Sequence, residues 1–337
     1  MKNILTMTKP EELFTTSDPI SLKKEYRVLA LKYHPDHNKE KEATEIFEHI
    51  NSLHEVALKK IANGCWEGAG KLFLDTTTLS HDMVYYRMHP VGFVKAYIAD
   101  KFVLYVIPGK YSRFYDHART MMLKAVIPIP NNKRLTDAFT KFLPDRVQYL
   151  EFKNGDKGIL IPKQNDTYTL RDILNYYGGS LDPRHVAWIL SSLYNMNCYL
   201  KYQDIVHYDL SLESYFISPK DHSGFLLGGW WYAFGYGAKI SEVPKKTFEI
   251  VPHLCKTPSN LICRELIRSI GRELLGDPKG INLVKETPEP LLKWVRGVST
   301  AKNAVEEYKD WDACLLKSFG VKKFFKMDVS EDNIKGV

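Results

Sequence analysis

LKKEYRVLALKYHPDHN, residues 22–38, joins a strongly patterned run to a sharp polar break. Leu22, Tyr26, Leu29 and Tyr33 recur at helical spacing, so the run predicts an amphipathic helix over about residues 21–33. The break that follows, His34-Pro35-Asp36-His37-Asn38, is polar, and its proline cannot continue a helix. The pattern therefore predicts a helix that stops abruptly in a rigid loop.

The ends and the outer face of this helix can also be predicted. We expect Ser17 to cap its first turn, where Pro19 is well suited. The face opposite the apolar stripe is basic, with a single carboxylate from Glu25. Its cations are Lys23, Lys24, Arg27 and Lys32.

A second helix is predicted from about Lys41 to Ile61. Its outer face is acidic, and two short helices joined by a loop pack as an antiparallel hairpin. Its apolar positions are Ile46, Phe47, Ile50, Leu53, Val56 and Ala57.

These two helices and the loop between them resemble the J domain of DnaJ-type co-chaperones, over about residues 10–60. The resemblance implies a module that docks on a DnaK-type chaperone and stimulates its ATP hydrolysis. The alternative is that the cations form a solvated helix face and that Asp36 caps a helix. By resemblance, the chaperone-binding residues are Lys23, Lys24, Arg27, His34, Pro35 and Asp36.

The chain departs from the J-domain family in several places. Val28 occupies a position where the family often has a second cation, and the first helix is reduced to about Pro10–Phe14. No basic fourth helix, Gly/Phe-rich stretch or cysteine-rich region follows. We therefore expect a J domain joined to a different kind of domain, without the usual client-binding parts.

Composition limits the function classes that remain. The 337 residues are 44% hydrophobic and 26% charged, which excludes a fibrous or largely disordered chain and allows two domains. The five scattered cysteines exclude a disulfide framework and the usual zinc patterns, and no histidine cluster has metal-ligand spacing. The net charge of +7 allows acidic partners but makes nucleic acid an unlikely target. Because no apolar run reaches the roughly 20 residues of a membrane span, we expect a cytoplasmic protein with no membrane partner.

The remaining residues predict a mixed domain. Strands are indicated between Met83 and Ile107 and at residues 158–162, and a long helix at residues 182–203. Strands followed by helices indicate an α+β fold. We divide the chain into a J domain (1–62), a linker (63–74), a second domain (75–325) and a flexible tail (326–337).

The second domain carries His207-Tyr208-Asp209-Leu210, followed by Ser214. This run resembles the catalytic loop of protein kinases, and implies a two-lobed protein-kinase-like domain. Phosphoryl transfer in that family needs a lysine, an asparagine and an aspartate that together hold ATP and magnesium. Here Tyr105 occupies the lysine position, Ser214 that of the asparagine and Gly229 that of the aspartate. The helix predicted at 115–126 has no glutamate to pair with such a lysine.

These losses favour a pseudokinase, so we expect no catalytic residue, cofactor or metal in the second domain. The leading hypothesis is a co-chaperone adaptor whose kinase-like domain binds an unknown protein client. The alternative is an atypical phosphotransferase that uses ATP and Mg²⁺, with Asp209 as its base and the J domain as a targeting module. A weaker possibility is a nucleic-acid-binding protein.

Overall fold

A computed structural model describes residues 4–38, 42–62, 66–78, 80–282, 286–321 and 323–335. Its first two helices, α1 (Pro19–Tyr33) and α2 (Ala43–Ala62), form the predicted antiparallel hairpin. The predicted helix start at Lys41, residues 63–65 of the linker and residues 336–337 of the tail lie outside the described residues.

Asp18, not Ser17, caps α1. Its carboxylate accepts a hydrogen bond from the Ser21 amide at 2.8 Å, because Pro19 takes the first helical position and leaves the capping position to the residue before it. Ser17 instead lies 3.4 Å from the Tyr85 hydroxyl, measured between the two oxygens.

The core of the hairpin is closed by residues outside the two helices. Phe14 and Trp66 are buried against Leu22, Leu53 and Ala57. The expected short first helix is a single 3-10 turn at Pro10–Glu12. Trp66 therefore completes the core of the hairpin.

The second domain begins with a hairpin of β1 (Gly70–Asp75) and β2 (Ser80–Tyr85). A five-stranded antiparallel sheet follows, in the order β3-β4-β5-β7-β6. Its strands are β3 (Arg87–Val91), β4 (Val94–Ile98), β5 (Phe102–Ile107), β6 (Gln148–Glu151) and β7 (Lys157–Pro162). Two helices stand between β5 and β6, α3 (Ser112–Ala125) and α4 (Lys133–Thr140). The β1–β2 hairpin and one face of the sheet share a small core that includes Leu74, Met83 and Leu104.

The remaining elements form a mainly helical lobe. Its strands are β8 (Tyr168–Thr169), β9 (Ile205–His207), β10 (Tyr215–Ser218), β11 (Ser223–Leu226) and β12 (Ala233–Gly235). Its helices are α5 (Leu170–Tyr176), α6 (Pro183–Tyr202), α7 (Lys245–Ile250), α8 (Asn260–Leu274), α9 (Glu289–Arg296), α10 (Ala304–Phe319) and α11 (Glu331–Lys335). β8 and β11 flank β10, and β9 pairs with β12.

A sheet lobe with one long helix, followed by a helical lobe with short paired strands, is the two-lobed kinase-like arrangement. The predicted α+β class and the order of the two domains are confirmed. One apolar core runs through both lobes and includes Val103 and Tyr105 from the sheet with Phe216 and Trp231 from the helical lobe.

Two predicted boundaries are wrong. The linker was predicted to reach residue 74, but Gly70–Asp75 forms β1 and Trp66 belongs to the core of the hairpin. The tail was expected to be loose from residue 326, yet Met327 and Ile334 are buried in the main core. Burying these two apolar side chains stabilises the folded protein, whereas a solvated tail would leave them in contact with water.

Within the described residues, no helix combines the length and the apolar character needed to cross a membrane.

Candidate functional site

The basic face of α1 is open to solvent. Lys23, Lys24 and Arg27 are exposed, and so are Val28 and Leu31 on the same side of the helix. Amphipathic spacing explains this arrangement, because Leu22 points inward and is fully buried. The predicted cations thus form one surface with two apolar side chains beside them.

The loop after α1 holds its shape through local contacts. His34 ends the helix, and its ring packs edge-on against Phe47 of α2 with 5.1 Å between ring centroids. The Asp36 amide donates to Nδ1 of His34 at 3.2 Å. The Asp36 carboxylate is 79% exposed and lies 3.5 Å from the same nitrogen. The loop therefore presents a carboxylate from a fixed position beside the basic face.

The kinase-like domain places Asp209 in a cavity of about 400 Å³ between the lobes. One oxygen of its carboxyl, Oδ2, is buried with no hydrogen-bond partner. Burial raises the pKa of Asp209 to about 7, and the neighbouring Glu213 carboxylate adds to the rise. The carboxyl is therefore protonated in a large fraction of molecules near neutral pH.

The cations around this cavity are already paired. Lys9 lies 3.0 Å from Glu67, and Arg171 lies 2.8 Å from Glu213, measured between nitrogen and oxygen. Burial opposes ionisation of Glu213, but Arg171 and Lys246 hold its pKa below the ordinary value. Lys245 and Lys246, which also line the cavity, pair with Glu249 and Glu273, so each cation of the wall has a carboxylate partner.

Tyr105, the residue predicted at the lysine position, lies on β5. Its side chain is 1% exposed, its ring lies 5.1 Å from that of Trp231, and burial raises its pKa well above the usual range. A buried, neutral phenol cannot neutralise a phosphate as an ammonium group does.

The glycine that lies against this tyrosine is Gly228, and the next residue, Gly229, is the one that the sequence predicts at the aspartate position. A Cβ on Gly228 would lie 2.6 Å from the Tyr105 hydroxyl, whereas one on Gly229 would meet His207 and Asp209. The Gly228 amide donates to the Ser214 carbonyl at 3.0 Å. This hydrogen bond holds Gly228 between Tyr105 and Ser214. Both candidates are glycines, so neither supplies the expected carboxylate.

Ser214 is used to hold its own loop. Its hydroxyl accepts a hydrogen bond from the Ser211 amide at 3.0 Å. His207 is fully buried and edge-on to Trp230, and burial lowers its pKa to about 3. His207 is therefore neutral at physiological pH.

The turn between β3 and β4 is too short to surround a phosphate. Val91 pairs with Val94, so only Gly92 and Phe93 form the turn. The Phe93 ring stacks on Tyr111 at 4.3 Å and contacts Tyr232 at 6.0 Å, between ring centroids. Aromatic side chains therefore occupy the region beneath the turn.

Across the front of the cleft, β3 is tied to α5. Asp172 is fully buried and lies 3.1 Å from Nε of Arg87 and 3.4 Å from Nε2 of His89. Burial alone would raise the pKa of Asp172, but His89 and Arg87 hold it below the ordinary value. Arg87 also donates to the Ile334 carbonyl of the tail. These contacts join both lobes and the tail at one point.

Among the described residues, no group of three or more His, Cys, Asp or Glu side chains is arranged to hold a metal ion.

Comparison with known proteins assigns the N-terminal part. Residues 12–60 match the family model for the DnaJ domain. Residues 12–60 form a DnaJ-type J domain. The chain is 43% identical over 61 residues to the chaperone protein DnaJ of Campylobacter lari, and 39% identical over 70 residues to that of Helicobacter hepaticus. These matches cover 18% and 20% of this chain, and only 16% and 18% of the two relatives.

Among solved structures, the chain is similar to vaccinia related kinase 3 and to the BubR1 kinase domain. The first match has a TM-score of 0.49 and 15% identity, and covers 73% of this chain and 90% of the kinase. The second has a TM-score of 0.47 and 12% identity, and covers 80% and 93%.

Two groups of residues near these sites were not predicted. Trp66 completes the J-domain core, and Arg87, His89 and Asp172 close the cleft. Trp66 stands in a glycine-rich segment with no helical pattern. In the cleft, Arg87 and Asp172 are 85 positions apart in the sequence. Local spacing carries no signal for either.

Proposed function

We propose that this protein is a cytoplasmic co-chaperone. Its J domain binds a DnaK-type chaperone and stimulates ATP hydrolysis, and its kinase-like domain binds a client or partner protein without transferring phosphate. The observation that supports this best is the fixed His34-Pro35-Asp36 loop beside an exposed basic helix face.

The charge of this face suits recognition of an acidic surface. Exposed cations steer an oppositely charged partner and raise the association rate more than the affinity. After encounter, the exposed Asp36 carboxylate is available to a cation of the chaperone. The roles of Lys23, Lys24, Arg27, His34, Pro35 and Asp36 all belong to this proposal.

The steering step is tested by reversing charge on α1. We expect Arg27→Glu to slow association with a DnaK-type chaperone about tenfold at low salt, with a smaller effect at high salt. The measurement is association kinetics on immobilised chaperone. Lys309→Glu, a change at an exposed lysine of α10, serves as the matched control. Equal rates for both variants would contradict the proposed interface.

The absence of phosphoryl transfer is supported by the cleft. A phenol replaces the lysine at Tyr105, glycine stands at both candidate aspartate positions, and Phe93 packs beneath a two-residue turn. A ligand present at one hundred times its Kd would stabilise the folded protein by roughly 2.7 kcal/mol. We expect no change in Tm on addition of ATP and Mg²⁺, whereas a rise of several degrees would contradict this part of the proposal.

One observation favours the alternative phosphotransferase. Asp209 has an unpartnered carboxyl oxygen in the interlobe cavity and a pKa of about 7, which suits a general base near neutral pH. If the alternative holds, the protein transfers phosphate from ATP–Mg²⁺ to an acceptor, and Asp209→Asn abolishes the transfer. Radiolabelled ATP with the purified protein and candidate acceptors measures this directly.

A further inference from the structure

An open groove lies beside the interlobe cavity. Its wall combines the turn between β3 and β4, the start of α3, Tyr232 and the chain that leads into α7, and it measures about 770 Å³. The groove continues into the interlobe cavity, because Gly92, Tyr232 and Lys245 line both. That cavity is also lined by Lys9 and Glu67, from the segments on either side of the J-domain helices. A continuous surface from α7 to the J domain suits a length of extended polypeptide.

Four aromatic side chains line the groove. Phe93 stacks on Tyr111 with 4.3 Å between ring centroids, and Tyr232 lies edge-on to Phe93 at 6.0 Å. The fourth, Phe248 of α7, is 55% exposed. Aromatic side chains are enriched in protein interfaces, where they supply much of the binding energy. The groove therefore offers packed rings and one exposed ring to an apolar group of a partner.

The charge that the groove offers to a partner is positive. The Lys110 ammonium lies 5.0 Å from the centre of the neighbouring tyrosine ring, and it has no carboxylate partner in the part of the chain that the structure describes. Lys245 lies 3.7 Å from Glu249, but both side chains are largely exposed, and such a pair contributes little to stability. Glu242, the one carboxylate among the described residues of the wall, lies 3.6 Å from Arg113. A partner with carboxylates therefore complements the groove.

The number of cations favours a polypeptide over a nucleic acid. Nucleic acids also combine rings with negative charge, but their affinity depends on a row of cations that follows the backbone. Two lysines and one glutamate do not provide such a row. They match the few carboxylates of an acidic peptide segment.

We propose that this groove binds an extended segment of a client protein in which an aromatic side chain is flanked by Asp or Glu. The aromatic side chain packs against Phe93, Tyr111 and Phe248, and the flanking carboxylates pair with Lys110 and Lys245. The inference rests on the proposed client-binding role of the kinase-like domain and assigns that role to one surface. A segment bound in this way extends toward the J domain.

The test uses the fluorescein-labelled peptide Ser-Gly-Asp-Asp-Trp-Asp-Asp-Gly-Ser and fluorescence anisotropy with the full chain, without a chaperone. We expect saturable binding that weakens as salt is added. A second peptide has Asn in place of every Asp, and a third has Ala in place of Trp. We expect each to bind at least about tenfold more weakly, because each lacks one of the two features that the groove recognises.

Two variants, each with a matched control, locate the binding surface. We expect Phe248→Ala to weaken binding about tenfold, whereas Phe73→Ala, at a phenylalanine of β1 that is 60% exposed and lies outside the groove, should leave the affinity unchanged. We expect Lys110→Glu to weaken binding about tenfold at low salt. Lys309→Glu, at an exposed lysine of α10, should have no effect.

Four outcomes would overturn the proposal. They are no binding of the Asp-containing peptide at millimolar concentration, equal binding of the Asn-containing peptide, equal effects of Phe248→Ala and Phe73→Ala, and tighter binding of a single-stranded oligothymidylate, which would assign the groove to nucleic acid. Stimulation of the chaperone ATPase is measured separately. A protein that stimulates but binds no peptide contradicts this inference alone, and one that binds the peptide but does not stimulate contradicts the co-chaperone function alone.

Discussion

Asp209 is a buried acid with a raised pKa, and this links folding to pH. The folded protein keeps the proton up to about pH 7, whereas the unfolded chain releases it near the ordinary value of 3.8. The two states therefore hold the same number of protons below this lower value. As the pH rises from there to about 7, the folded state loses stability, and the full loss is present above about pH 7.

Asp209→Asn should remove this penalty. We expect the variant to gain up to about 3 kcal/mol over the wild-type protein between about pH 5 and about pH 8, since one pKa unit corresponds to about 1.4 kcal/mol. Urea unfolding at the two pH values measures the difference. Asp310→Asn, at an exposed aspartate of α10, should show no such gain. If the difference in unfolding free energy between the variant and the wild-type protein is the same at both pH values, Asp209 is ionised in the folded state and the account is wrong.

Residue identities in the cleft could be predicted from the sequence more easily than residue positions. The replacement at Ser214 is predicted from the resemblance in the loop after His207, and that at Tyr105 from the strand that carries the lysine in protein kinases. Which of the two adjacent glycines lies against Tyr105 cannot be predicted in this way, because it depends on the hydrogen bond from the Gly228 amide to the Ser214 carbonyl. Similarly, Asp18 rather than Ser17 caps α1 because Pro19 fixes the first helical position.

At the level of elements, the segment from 323 to 335 ties the two lobes together. Tyr177, the residue after α5, donates its hydroxyl to the Asp328 carbonyl at 2.8 Å. Lys335 of α11 lies 2.7 Å from the Asp100 carboxylate in the turn between β4 and β5. Ile334, between these two contacts, is fully buried. The segment therefore stabilises the arrangement of the lobes.

Ile334→Ala should destabilise the protein by about 2–5 kcal/mol, the usual cost of removing a fully buried isoleucine side chain. Urea unfolding measures this change. The matched control is Val321→Ala, at a valine that is 79% exposed, for which we expect a change within about 0.5 kcal/mol. If both variants lose the same stability, the tail does not contribute to the core.

Helices with strong periodicity were predicted well, since the pattern that identifies them is local. α1, α2 and α6 begin and end within a few residues of the predicted bounds. The tail helix α11 and the strand β1 were missed because each is short and is held by residues distant in the chain.

At the scale of the whole molecule, the J domain is attached through its own N-terminal segment. Glu11 bonds to Lys60 of α2 at 2.8 Å and accepts from the Glu67 amide at 3.0 Å. The Glu67 carbonyl in turn accepts from the Met88 amide of β3 at 3.0 Å. This attachment leaves the basic face of α1 exposed, as a docking surface for a chaperone requires.

The central claim is tested most directly by single-turnover ATP hydrolysis on a DnaK-type chaperone. Wild-type protein and Asp36→Asn are compared, and a parallel reaction omits the chaperone. We predict that the wild-type protein stimulates hydrolysis, that Asp36→Asn loses the stimulation without loss of folding, and that no hydrolysis occurs without the chaperone. Equal stimulation by the two proteins would contradict the J-domain mechanism, and hydrolysis without the chaperone would show that the kinase-like domain is itself an enzyme.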